Sequence, residues 1–87
     1  MSAKEMFKEL GYKMLGSFNP NDNYIIVAWN KEIYDCKTTI YFYADKNLRI
    51  VMEDKRGCIY PPIFTLDELQ AINKQVEELA AERTSAL

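Results

Sequence analysis

The 87-residue chain has no histidine. Its absence removes the commonest general base, the commonest metal ligand and the usual partner of a catalytic serine or cysteine. Cysteine is scarce as well. Cys36 and Cys58 are too few for a disulfide framework, too far apart in sequence for a redox pair, and short of the four ligands that a structural zinc site takes. The expectation is two reduced thiols, no metal and no cofactor. The three glycines, Gly11, Gly16 and Gly57, form neither a dinucleotide fingerprint nor a phosphate-cradling loop. No apolar run approaches the roughly 18 residues of a membrane span, and no basic-then-apolar leader opens the sequence, which points to a cytoplasmic protein.

An excess of charge of one sign is also missing. Eleven basic residues against 13 acidic ones give a net charge of −2, so the composition implies no global attraction to nucleic acid or to an anionic membrane. The acidic pairs Glu53-Asp54 and Asp67-Glu68 resemble catalytic carboxylates only superficially. Neighbours on a strand point to opposite faces, and acids in a first helical turn serve the helix dipole. The sequence therefore reads as non-enzymatic.

What is present is ordinary globular composition, 48% hydrophobic and 28% charged, of a size for one domain over residues 1–87. The unusual share is aromatic, 13%, led by six tyrosines.

Ser2 with Glu5 makes a capping box, so a helix should begin at Ala3, bury Met6, Phe7 and Leu10, and end at Gly11. The periodicity then changes to two. A hairpin is expected between Tyr12 and Trp29 around Asn19-Pro20-Asn21-Asp22-Asn23, followed by strands over Lys37–Ala44 and Leu48–Glu53 and an edge stub at Cys58–Tyr60 before Pro61-Pro62. Leu48, Ile50 and Met52 read as the core side of their strand. Thr65 with Glu68 is a second capping box, opening a helix with the stripe Leu69, Ile72, Val76 and Leu79. The fold class is α+β: an antiparallel sheet of four or five strands with an N-terminal and a C-terminal helix, both on one face. The stripe spans only about two heptads, which favours packing on the sheet over a coiled coil and leaves a homodimer open.

The aromatic set Trp29, Tyr34, Tyr41, Tyr43 and Tyr60 admits a structural use, covering the second sheet face, and two functional ones. Tyr, Trp and Arg anchor protein interfaces, so Tyr41, Tyr43, Arg49, Trp29 and Tyr34 form the first candidate binding surface. With Lys37, Lys46, Lys55 and Arg56 nearby, the same surface could instead stack single-stranded bases while cations meet phosphates. The second candidate surface is the acidic side of the last helix, Asp67, Lys74, Glu77 and Glu78.

The segments Lys4–Tyr12, Gly57–Pro62 and Thr65–Leu79 together resemble small uncharacterised proteins encoded by bacteriophages and prophages of Gram-positive bacteria. The likeness covers both helices and is looser through the sheet. It implies a phage accessory protein in the host cytoplasm, a class whose members often bind and block a host protein, including nucleases of antiviral defence.

Overall fold

The computed structural model describes residues 1–15, 25–43 and 47–85, with 82–85 as backbone alone. The element order is α1 (Ala3–Glu9), β1 (Lys13–Met14), β2 (Ile25–Ile33), β3 (Cys36–Tyr43), β4 (Leu48–Asp54), β5 (Ile59–Tyr60) and α2 (Leu66–Ser85). This is an α+β fold with a five-stranded antiparallel sheet. The chain divides into two compact units, one made of Met1–Gly11 with Ile63–Leu87, the other of Tyr12–Pro62.

In the helical unit both capping boxes form. The Ser2 Oγ accepts from the Glu5 N–H at 3.2 Å, and the Glu5 carboxylate accepts in turn from the Ser2 N–H at 3.2 Å. Gly11, at φ 91°, takes the left-handed conformation that ends α1, where a side chain would be strained. Thr65 and Glu68 exchange the same pair of bonds at the start of α2, at 3.1 and 3.0 Å. A helix of seven residues is too short to stand by itself. The two helices contact each other, and the Ala3 N–H donates to the Glu78 carboxylate at 2.8 Å.

The buried residues of this unit are Ala3, Phe7, Glu68, Ala71, Ile72 and Gln75. That differs from the stripe expected on α2. Ile72 is inside, but Leu69 is 45% and Val76 50% exposed. The apolar stripe is wider than the face the fold covers. Glu68 can be buried because the Thr65 N–H and hydroxyl satisfy its carboxylate.

The strands of the second unit follow one another in the order β1-β2-β3-β4-β5, each paired with its sequence neighbour. The asparagine-rich turn expected at 19–23, and most of the turn after β3, lie outside the described residues. Register aligns Met14, Trp29, Ile40 and Ile50 across one face, with Phe42 facing Val27 and Leu48. Trp29, Ile40, Phe42 and Tyr12 are buried, whereas Leu48 is 41% exposed. Register puts Leu48, Ile50 and Met52 on the face of Ile40 and Phe42, as alternation suggested, but the most deeply buried residues of that face lie on β2 and β3. β5 pairs only with Met52 and Glu53, so the first half of β4 lacks β5 as a neighbour. Tyr12 lies beneath the Lys31 ammonium, 4.9 Å from the ring centre.

Two local devices shape the sheet. A register shift between Ile25 and Val27 marks a bulge near the start of β2. Between β4 and β5, the Asp54 carboxylate accepts from the backbone N–H groups of Arg56 and Cys58 at 2.9 and 3.0 Å. Gly57 turns at φ 84° in open space, so its conformation and not crowding requires glycine.

Candidate functional site

The sheet face opposite Trp29 brings together three of the expected binding residues. Alternation puts Tyr41 and Tyr43 on one side of β3, and the register sets Arg49 directly across from Tyr41. The two rings are half-buried, with centroids 6.4 Å apart and planes inclined by 40°, a tilted pair within the favoured range of aromatic contacts. Arg49 is exposed beside them. Ala28 on β2, the other neighbour of Tyr41, is fully buried. A small residue there leaves the tyrosine ring room to lie along the sheet. Beside this row Thr39 is also buried.

Trp29 does not belong to this surface. It pairs with Ile40 on the opposite face and is fully buried, because residues one apart on β2 and β3 change sides. Tyr34 is elsewhere too, in the loop Tyr34-Asp35 that joins the paired residues Ile33 and Cys36. From the Cys36 end of β3 to Tyr41 the strand runs about 17 Å at its usual rise. Tyr34 is 95% exposed and held at φ 56°. The favoured two-residue hairpin loops take positive φ at their first position, so the turn itself imposes this strained conformation on a bulky residue.

Two cations at the Cys36 end of the sheet are answered by acids. Lys55 lies 3.1 Å from Asp35, and Arg56 lies 3.3 Å from Asp54. Lys37 sits in register between Glu32 and Glu53 on the same face as Tyr41. Lys46 lies outside the described residues. The charged cleft lined by Glu32, Asp35, Lys37, Glu53, Asp54 and Lys55 is thus mixed in sign and weighted toward carboxylates.

Asp54 organises one rim of that cleft. The Tyr60 hydroxyl donates to it at 2.7 Å, and this bond, more than the backbone donors, holds the carboxyl below the ordinary aspartate range. The same contact raises the Tyr60 phenol, since the hydrogen bond and the neighbouring negative charge both oppose its ionisation. Sequence reasoning missed this pair. Which side chain closes over the turn from Asp54 to Gly57 depends on the short β5 pairing, which residue spacing does not disclose.

On α2, Lys74 and Glu77 form a loose pair at 3.9 Å. Glu78 is engaged by the N-terminus of α1 and so serves the fold. Asp67 lines a shallow groove with Met1, Met6, Glu9, Leu10 and Gln70. The second candidate surface is consequently divided between a structural carboxylate and exposed charges. Among the described residues no cluster of three or more Cys, Asp or Glu side chains could hold a metal ion, and no helix is long and apolar enough to cross a membrane.

No protein-family model, curated protein or solved structure matches this chain.

Proposed function

We propose that this protein is a non-catalytic binding module whose contact surface is the sheet face bearing Tyr41, Tyr43 and Arg49. The observation that supports it is the tilted tyrosine pair, half-buried and therefore rigid, with an exposed arginine opposite in register. Rigid aromatic anchors beside an arginine are the residues that concentrate binding energy in protein interfaces. The ion pairs of Lys55 with Asp35 and of Arg56 with Asp54 favour a protein over a nucleic acid, since counterion release needs cations free to meet phosphates. The likeness of both helices to phage and prophage proteins supports a host protein as the partner, with antagonism of a host defence factor as the narrower form.

The test is affinity capture from lysate of a Gram-positive bacterium with the intact protein and with the Tyr41→Ala/Tyr43→Ala variant. A protein retained by the first and lost with the second, at unchanged circular dichroism, supports the proposal. Truncating two anchors at about 2 kcal/mol each weakens binding by roughly a thousandfold. Tight binding of single-stranded oligonucleotides with a steep negative salt dependence would replace it with the nucleic-acid reading.

A further inference from the structure

We infer that α2 carries a second apolar seam, beside the face it buries, that pairs with the same seam of a second copy of this chain, parallel and in register, with Asn73 against Asn73. The seam is Leu66, Leu69, Asn73, Val76 and Ala80, at the alternating three- and four-residue spacing of a heptad. Leu66 is 78%, Leu69 45% and Val76 50% exposed, and Asn73 and Ala80 are exposed as well. At 100° per residue its centre lies about 120° round the helix from the buried Glu68, Ala71, Ile72 and Gln75. Neither the fold nor the proposed tyrosine surface makes use of it.

The occupant is argued from Asn73. Its amide sits at the middle of an otherwise apolar stripe and carries two donors and an acceptor. An apolar groove on a foreign partner would bury that amide without an answer, which weakens such a complex. A second copy in parallel register supplies the same amide at the same height, and a single asparagine at this heptad position is the device that fixes register and two-strandedness. An antiparallel pair would set Asn73 against Leu69 or Val76 and leave it unsatisfied. The seam is short, but a helix already folded within its own unit has met its nucleation and ordering costs before association. Its 20 residues extend about 30 Å.

Sedimentation equilibrium of the full chain at about 100 μM, well above a dissociation constant near 10 μM, should give twice the 10.2 kDa chain mass. Leu69→Glu should return the monomer with unchanged circular dichroism. Asn73→Asp places two carboxylates on the axis and should weaken the dimer at least tenfold at pH 7, with recovery near pH 4 as they protonate. Asn73→Cys in a Cys36→Ser/Cys58→Ser background should cross-link the dimer by a disulfide on oxidation. A monomer at that concentration, a folded Leu69→Glu variant that still dimerises, or an Asn73→Cys dimer that does not cross-link overturns the inference. The Tyr41→Ala/Tyr43→Ala variant should dimerise normally, which separates this surface from the proposed binding face.

Discussion

Replacing Tyr34 by glycine should make the protein more stable, although it deletes the side chain of a large aromatic residue. The ring is 95% exposed, so its removal gives up almost no buried surface. The backbone at φ 56° costs a non-glycine residue about 1–2 kcal/mol, and glycine relieves that strain. Glycine also loses more freedom on folding, a penalty of about 0.5–1 kcal/mol. The net is a gain of about 0.5–1 kcal/mol, or roughly 2–8 °C in Tm for a domain of this size. Tyr34→Ala separates the two contributions, because it removes the ring and keeps the strain, and its Tm should match that of the parent. Tyr34→Asn, which tolerates the left-handed region, should fall between them. Differential scanning calorimetry of the series at one protein concentration is the assay. A fall in Tm for Tyr34→Gly would refute the reasoning, and an equal fall for Tyr34→Ala would show that the ring itself holds the hairpin. A gain in stability accompanied by loss of partner binding would mark Tyr34 as a contact that selection retained against the fold.

Ile72→Ala should cost about 2–5 kcal/mol in urea unfolding, whereas Leu69→Ala, three residues away on the exposed seam, should cost under half as much in the monomer. Ser2→Ala removes the acceptor that caps α1 and should cost about 1 kcal/mol by the same measurement. Asp54 has a depressed folded-state pKa, so its contribution is complete above the unfolded aspartate value and is lost as pH falls through the lower folded value. Tyr60→Phe removes the largest cause of the depression, and the Asp54 carboxyl resonance should then titrate at a higher pH in NMR. An unchanged titration would show that the backbone donors of the turn suffice.

The elements that were legible in the sequence are those with local causes. Ser2 with Glu5 and Thr65 with Glu68 start their helices by bonds three residues apart, and Gly11 stops one by its own φ. Alternation placed β3 and β4 to within a residue, and the shared side of Tyr41 and Tyr43 followed from it, whereas β2 runs to Ile33, four residues past the expected Trp29. What escaped was set by distant neighbours. Trp29 looked like a surface anchor because residue type does not tell which side of β2 is covered. Leu69 and Val76 looked like core because the apolar stripe is wider than the face the fold covers, and the polar Gln75 is buried where spacing favours an apolar residue. Leu48 looked buried because alternation gives the face a side chain points to and not how much of that face is covered.

The helical unit is discontinuous, since it draws on Met1–Gly11 and Ile63–Leu87. During synthesis on the ribosome, the strands from Tyr12 to Pro62 can pair successively as they emerge, each with the one just made. α1 emerges before these strands but has no Glu78 for its Ala3 amide until they and much of α2 have followed. Too short to hold a helix alone, this segment stays unfolded, its Phe7 in water, until α2 has been made. Closing the ends over that length is entropically costly but only logarithmically so. The amino-terminal segment therefore waits longest for its partner, and a released chain truncated before Glu78 should leave it open to protease.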